Sequence, residues 1–236
     1  MAELIRDAPA SVLACYAHPD DPEVSCGGTL ARWTAAGAEV HTVVCTSGDK
    51  GSSDAATDPA ELVSRRAEEV AAAAQLVGIA GHHLLGHPDG ELENGVQLRR
   101  ELVALVRRVR PQVVVCPDPQ AVLFGQDYYN HLDHRVVGWA TLDAAAPAAA
   151  LPLYFPETGP PHQVEVVYLS GTLEPDVWVD VSATLEVKLD AVLCHRSQLS
   201  ETGEWLRTVI RERAEDGGRQ AGVRYAEGFR RLRLTG

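Results

Sequence analysis

Ser11-Val-Leu-Ala-Cys-Tyr-Ala17 runs directly into His18-Pro-Asp-Asp-Pro-Glu23, so a largely apolar stretch ends in a cluster of imidazole and carboxylate groups. A short run of this composition predicts a strand that is covered on both faces of a parallel sheet. The polar cluster therefore lies where a buried strand ends in a loop. His18 and Asp21 are three residues apart, so one turn of chain can direct both to one point. Asp20 then remains free to transfer protons.

A second pair of histidines lies far along the chain, in Tyr129-Asn-His131-Leu-Asp133-His134. Together the two stretches supply two nitrogens and one oxygen for a divalent metal, with a spare carboxylate beside them. This donor set is typical of a hydrolytic zinc site that keeps an open coordination position. The spacing leaves open whether His131 or His134 is the ligand, because both lie on one face of a turn.

Apolar runs alternate with helical patterns through the first two thirds of the chain, which predicts βαβ units and a parallel sheet. At 236 residues and 45% hydrophobic composition, one domain over residues 1–236 is expected. We expect an α/β sandwich with strands at 11–17, 39–46, 82–85, 112–117, 164–169 and 177–181. The expected helices are 28–36, 59–77, 96–109, 131–146, 183–198 and 201–215, with a short closing segment from Tyr225.

The expected strand order explains how the two polar stretches could meet. In a sheet of order 3-2-1-4-5, the first and fourth strands are neighbours and the chain reverses direction between them. Ligands of open α/β sheets bind at this switch point, beyond the carboxyl ends of the strands. The segments that follow these two strands carry His18 and His134, and right-handed crossovers alone bring them to one crevice.

Composition excludes several other classes of protein. The formal net charge of −12, with no basic stretch, argues against a nucleic-acid partner. The start of the chain lacks the order of a secretory signal, and no apolar run approaches the roughly 18 residues of a membrane span. Five cysteines without a Cys-x-x-Cys pair indicate a reduced, cytoplasmic protein. A homo-oligomer is compatible with the sequence.

The stretch from Ala17 to Leu30 and the segment His131-Leu-Asp-His134 resemble the PIG-L/LmbE family of metal-dependent de-N-acetylases, which act on N-acetylglucosaminyl compounds. Similar stretches occur at 46–51, 66–78, 188–198 and 225–229, so the resemblance spans nearly the whole chain. It implies a Rossmann-like three-layer fold, with one zinc ion, or exchangeable iron, at the C-terminal ends of the first and fourth strands.

The resemblance also implies roles for individual residues. The metal ligands would be His18, Asp21 and His134, and Asp20 would be the general base and then the general acid. His131 would be a catalytic histidine that does not bind the metal, and Tyr129 would donate a hydrogen bond to the carbonyl oxygen of the substrate. Arg66 and Asp89 would be substrate-side residues. From its place between the two histidines, Asp133 is expected to orient one imidazole.

These features favour removal of acetate from an N-acetylated sugar or sugar conjugate, and three alternatives remain open. A lyase could use the same metal and acid–base groups to hydrate an activated double bond of a small carboxylate. A mononuclear iron oxygenase uses a similar donor set, but the βαβ alternation argues against that class. A non-catalytic metal module would not need Asp20. His195 and Cys26 are further candidates for the site, with packing as the alternative for each.

Overall fold

The computed structural model describes residues 2–126, 128–199 and 203–234 of the chain. Its strands are β1 (Glu3–Leu4), β2 (Ser11–Tyr16), β3 (Glu39–Thr46), β4 (Gly81–His87), β5 (Val113–Pro117), β6 (Leu123–Phe124), β7 (Tyr128–Tyr129), β8 (Val166–Ser170), β9 (Val177–Asp180) and β10 (Ala226–Arg233). Its helices are α1 (Asp21–Ala35), α2 (Pro59–Val77), α3 (Val96–Val109), α4 (Leu132–Asp143), α5 (Leu185–Val192), α6 (Arg196–Leu199) and α7 (Gly203–Ala221). A π turn (Ala144–Ala148) and a 3-10 turn (Pro156–Thr158) follow α4.

Eight strands form one sheet in the order β1-β9-β10-β8-β5-β2-β3-β4. The strands β8, β5, β2, β3 and β4 are parallel neighbours, in the order predicted from the sequence. The expected α/β fold with a mostly parallel sheet is therefore confirmed. β10 extends this sheet and runs antiparallel to both β8 and β9. The hairpin of β6 and β7 lies outside the sheet.

Apolar side chains on the two faces of the sheet form two cores. One packs β2 and its neighbours against α1, α5 and α7, and its largest buried side chain is Trp33. The other packs the opposite face against α3 and α4. Leu13 and Tyr16 are both fully buried on opposite faces, as expected for a strand covered on both sides. Within the described residues, no helix combines the length and hydropathy of a membrane span.

The first helix begins earlier than the predicted 28–36. α1 starts at Asp21, because the acidic loop itself forms the first helical turn, with Pro22 near its start and carboxylates near its positive end. The helix is broken at Cys26, where φ is −144° and ψ is 21°. The Cys26 thiol is buried in the core 3.1 Å from the Tyr16 hydroxyl.

The later elements also differ from the predicted boundaries. The predicted helix 183–198 is two helices, α5 and α6, separated at Cys194 and His195. The predicted helix 201–215 begins at residues that lie outside the described ones, and α7 ends at Ala221. The short closing segment is the eight-residue strand β10, which pairs with strands on both sides. The predicted helix 131–146 ends as an α-helix at Asp143.

A carboxylate from β10 begins the second part of the broken α1. The Glu227 carboxylate accepts hydrogen bonds from the backbone N–H groups of Gly28 (3.2 Å) and Thr29 (2.7 Å). Lys188 of α5 pairs with the same carboxylate at 2.5 Å, and both side chains are more than nine-tenths buried. Helix N-termini need acceptors of this kind. The pair therefore stabilises the helix that begins at Asp21, directly after Asp20.

We expect Glu227→Gln to destabilise the protein by about 3 kcal/mol, because Lys188 would lose its charged partner in a buried site. The free energy of unfolding in urea measures the effect. Glu3→Gln is the matched control, since Glu3 pairs with Arg231 near the surface, where ion pairs contribute little. An equal loss of stability in both variants would contradict the role of Glu227.

Candidate metal centre

The neighbouring strands β2 and β5 bring the two polar stretches together. His18 follows the end of β2, and the chain after β5 forms the β6–β7 hairpin before His134 enters the first turn of α4. The rings of His18 and His134 have centroids 5.0 Å apart. Nδ1 of His18 lies 3.1 Å from Nε2 of His134. The crevice expected at the switch point thus contains both histidines.

Asp21 completes a group of three donors. Its Oδ1 lies 3.2 Å from Nε2 of His134, and its Oδ2 lies 3.4 Å from Nδ1 of His18. The three donor atoms lie within 4.8 Å of one another. Two nitrogens bound to one tetrahedral zinc ion lie roughly 3.4 Å apart. The spacing of these donors therefore fits a single divalent ion.

The remote nitrogen of each imidazole faces an acceptor. Nε2 of His18 lies 3.1 Å from Asp89 Oδ1 and 3.3 Å from Asp133 Oδ2. Nδ1 of His134 lies 2.9 Å from the amide oxygen of Asn130. When a metal ion replaces the protons between the donors, acceptors at these positions would hold the remaining ring protons on the far sides, so that the nitrogens facing Asp21 present lone pairs. Such outer partners commonly orient metal-binding histidines.

The electrostatics of the pocket favour positive charge. Burial opposes protonation of His18, but its hydrogen bonds to Asp133, Asp21 and Asp89 raise its pKa to about 12. Burial likewise opposes ionisation of Asp21, but His134 and His18 hold the pKa of this carboxyl well below its usual range. A site that stabilises positive charge between ionised carboxylates is suited to a cation.

Asp133 is fully buried and acts on His18 rather than on the histidines of its own turn. Its carboxylate accepts from the backbone N–H groups of Gly90 (2.7 Å) and Leu92 (3.2 Å). Nδ1 of His131 is 3.9 Å away. His18, His131 and Asp133 form a second group with metal-like spacing, but the Nδ1 of His131 that faces it already accepts the backbone N–H of Asp133. The group with Asp21 is therefore the better candidate.

Asp20 precedes the donor Asp21 in the chain but is not one of the three donors. Its φ of 106° is unusual for a residue with a side chain, and such strain is often found at functional sites. Burial and the charge of Asp21 raise the pKa of Asp20 to about 7. No hydrogen bond to its carboxylate occurs within residues 2–126, 128–199 and 203–234. Asp20 is thus a carboxylate able to exchange protons near neutral pH.

His131 lies beside His18, with ring centroids 4.9 Å apart, and is half-exposed. Its Nδ1 accepts from the backbone N–H of Asp133 at the start of α4. Burial and the neighbouring charge of His18 lower the pKa of His131. The ring is therefore favoured as a neutral imidazole whose Nε2–H can donate.

The two tyrosines of β7 occupy different places. Tyr129 is 58% exposed, and its hydroxyl accepts a hydrogen bond from Arg135, whose guanidinium also lies over the ring. Tyr128 instead lines a cavity with Asp21 and His134. Burial and the charge of Asp21 raise the pKa of Tyr128. The structure thus places Tyr128, and not Tyr129, in the wall of this cavity.

The cavity has a volume of about 470 Å³, within the usual range for ligand sites. Asp21 and His134 form one side of it. The rest of its wall comes from the β6–β7 hairpin, the chain at the ends of β5 and β8, and α7. It includes Phe124, Tyr128, Asn130, Asp118, Ser170, Thr172 and Arg213. Its mixture of aromatic and polar groups suits a hydroxylated ring.

The two residues expected on the substrate side lie behind the donors. Arg66 is 2% exposed, and its guanidinium donates to the carbonyl of Gly51. A Cβ at Gly48 or Gly51 would overlap this guanidinium, so a larger residue at either position would displace the Arg66 side chain. Asp89 contacts the far nitrogen of His18. The structure places neither residue in the wall of the 470 Å³ cavity.

Asn130 is a residue of the site that we did not predict. Its oxygen orients His134, while its Nδ2 donates to the carbonyl of Ala121 at 2.8 Å. Its position directly before His131 in the motif was the available signal. The sequence did not show that its amide would turn toward the other histidine.

We expect Asn130→Ala to weaken metal binding by about 10- to 100-fold, because His134 would lose the partner that orients its ring. Competition with a chromophoric chelator measures the affinity. Asn130→Asp keeps the acceptor and should retain more affinity. Asn94→Ala, at an exposed asparagine that contacts Asp143, is the control. Unchanged affinity in Asn130→Ala would contradict the orienting role.

These features define the class of protein: an α/β sheet with a histidine–carboxylate group and a spare carboxylate at its switch point. The sequence matches the family model described as PIG-L, GlcNAc-PI de-N-acetylase, over residues 13–145. The chain belongs to this family, as its motifs predicted.

Individual relatives agree with this assignment. Diacetylchitobiose deacetylase of Thermococcus kodakarensis is 35% identical over 224 residues, covering 93% of this chain and 82% of that protein. A 1D-myo-inositol 2-acetamido-2-deoxy-alpha-D-glucopyranoside deacetylase of Streptomyces avermitilis is 34% identical, covering 72% and 65%. The structure of N,N'-diacetylchitobiose deacetylase from Pyrococcus horikoshii, in complex with an inhibitor, superposes with a TM-score of 0.88 at 31% identity, covering 95% and 84%.

Proposed function

We propose that this protein is a zinc-dependent hydrolase that removes acetate from an N-acetylated amino sugar or sugar conjugate. The observation that carries the proposal is the group of His18, Asp21 and His134 next to Asp20, whose carboxylate accepts no hydrogen bond from the described residues. Similarity to deacetylases of amino-sugar compounds supports the substrate class. The nitrogen and oxygen donors also suit ferrous iron, so zinc is the finer part of the proposal.

An amide is a poor electrophile with a poor leaving group, so its hydrolysis needs a base, an acid and stabilisation of the oxyanion. A divalent ion held by the three donors would lower the pKa of a water and polarise the carbonyl. Asp20 takes the proton of the attacking water and returns it to the departing amine nitrogen. The neutral His131 donates through Nε2–H to the carbonyl oxygen as charge develops there.

Tyr129 is proposed as a second donor to that oxygen, because its hydroxyl accepts from Arg135 and keeps its own O–H free to donate. We expect Tyr129→Phe to lower kcat by about a hundredfold with KM unchanged, as found when one oxyanion donor is removed. Tyr128→Phe is the matched variant and should mainly raise KM, because Tyr128 lines the cavity. Steady-state kinetics of acetate release measure both, and the reverse pattern would assign the donor role to Tyr128.

The substrate-side roles of Arg66 and Asp89 stay predictions. Both lie beneath or beside the loop that contains Gly48 and Gly51. A substrate would need this loop to shift before it could contact the Arg66 guanidinium.

A panel of N-acetylglucosamine conjugates tests the function. The zinc-loaded protein is incubated with each conjugate, and acetate and free amine are measured in equal amounts if the proposal is correct. A water adduct formed without acetate would instead identify a hydratase. Consumption of oxygen with ferrous iron would identify an oxygenase.

We further propose that residues 1–236 act as one deacetylase domain in the cytoplasm, without a nucleic-acid or membrane partner. Five unpaired cysteines, four of them buried, support a reducing compartment. The net charge of −12 opposes binding to nucleic acid. A homo-oligomer stays a prediction that sedimentation can test.

A further inference from the structure

His195 is a buried imidazole with one nitrogen unused. Its ring is 1% exposed, and its Nε2 lies 3.1 Å from the Glu23 carboxylate, which is also buried. Its Nδ1 is buried and has no hydrogen-bond partner among the described residues. Buried polar atoms are nearly always bonded, so an unbonded one usually has a role.

The backbone around His195 is firmly held. Ser197, two residues later, donates through its N–H (2.8 Å) and its hydroxyl (2.5 Å) to Glu69 of α2. Gln198 donates to the carbonyl of Gly51, which Arg66 also contacts. These contacts fix the short link between α5 and α6. The ring of His195 is therefore held in place from its backbone as well as by Glu23.

Glu23 and Asp20 belong to the same turn of chain. The backbone N–H of Val24 donates to the carbonyl of Asp20, so Asp20 caps the first turn of α1, which contains Glu23. Burial opposes the charge of His195, but Glu23, Asp20 and Glu69 raise its pKa. The imidazolium in turn acts on Asp20 and opposes the rise in the pKa of that carboxyl. Asp20 and His195 thus lie in one cluster of charges.

We propose that His195 is a positioning residue for Asp20. The Glu23 carboxylate accepts the hydrogen bond from Nε2–H and fixes the ring, and the Nδ1–H donates to the Asp20 carboxylate, in the resting enzyme as well as in turnover. This contact would satisfy both groups, neither of which has a hydrogen-bond partner among the residues that the structure describes. His195 gains and loses no proton, since the proton that Asp20 takes from water goes to the amine. This inference rests on the proposed function of Asp20.

Two substitutions at His195 separate this role from simple packing. His195→Asn places an amide donor near the position of Nδ1, whereas His195→Gln places one near Nε2. We expect His195→Gln to lower kcat by about 10- to 100-fold, as is common when an outer partner is lost. KM and bound metal should stay within twofold of the wild type. The kcat of His195→Asn should be at least tenfold higher than the kcat of His195→Gln.

The opposite order would overturn the proposal. If His195 serves only to pair with Glu23, then His195→Gln keeps that bond and is the more active variant. Equal losses in both variants, with lower thermal stability or metal content, would also assign His195 a purely structural role.

A spectroscopic test does not depend on activity. In ¹⁵N-histidine NMR spectra of the wild type, we expect the Nδ1–H signal of His195 to shift in Asp20→Ala and to stay in place in Asp54→Asn, a change in an exposed loop. An unmoved signal in Asp20→Ala would overturn the proposal. If the wild type released no acetate from any conjugate while this signal shifted, the proposed function would fail and the contact between His195 and Asp20 would stand.

Discussion

Asp20→Asn is expected to lower kcat by about a hundredfold to ten-thousandfold, the contribution of general acid–base groups. Asparagine has nearly the shape of aspartate, but it cannot take a proton from water or return one to the amine. The raised pKa of Asp20, about 7, is what such a role requires. Metal content should be unchanged, because Asp20 is not one of the three donors His18, Asp21 and His134.

The neighbouring carboxylate provides the matched comparison. Asp21→Asn should lose metal and activity together, since Asp21 is one of the three donors. Acetate release and metal content by atomic absorption distinguish the two variants. If Asp20→Asn retained more than a tenth of the wild-type kcat, Asp20 could not be the principal base.

The fold could be predicted because its determinants are local. Apolar runs such as 11–17 and 112–117 identify strands covered on both faces, and the handedness of βαβ crossovers restricts their order. The meeting of His18 and His134 follows from that order. β10 was not predicted as a full strand, because its alternating, arginine-rich sequence does not by itself indicate pairing on both sides. That pairing comes from its contacts with β8 and β9.

The outer parts of the site could not be predicted, because side-chain direction depends on tertiary contacts. Asp133 was expected to orient a histidine of its own turn, but the backbone of Gly90 and Leu92 holds it against His18. Arg66 could have been a solvated arginine, yet it is buried against Gly48 and Gly51 in the loop that precedes its helix. His195 and Glu23 are too far apart in the chain for any periodicity to pair them.

The second large effect is expected at His134. The spacing of the motif could not decide whether His134 or His131 is the metal ligand. His134→Ala should weaken metal binding by more than the roughly 10- to 100-fold that loss of an outer partner causes. Nε2 of His134 lies 3.1 Å from Nδ1 of His18 and 3.2 Å from Asp21, so its removal leaves two donors. Titration of the metal-free protein with zinc, followed by calorimetry, measures the affinity.

His131→Ala is the matched comparison, because His131 and His134 lie on one turn and have the same side chain. His131→Ala should keep the metal and lose turnover, since its Nδ1 bonds the start of α4 and its Nε2–H is free to donate. The two variants therefore separate binding from chemistry within four residues of sequence. Loss of metal in His131→Ala with retention in His134→Ala would instead select the group of His18, His131 and Asp133, and the assignment of Asp21 as a ligand would then be wrong.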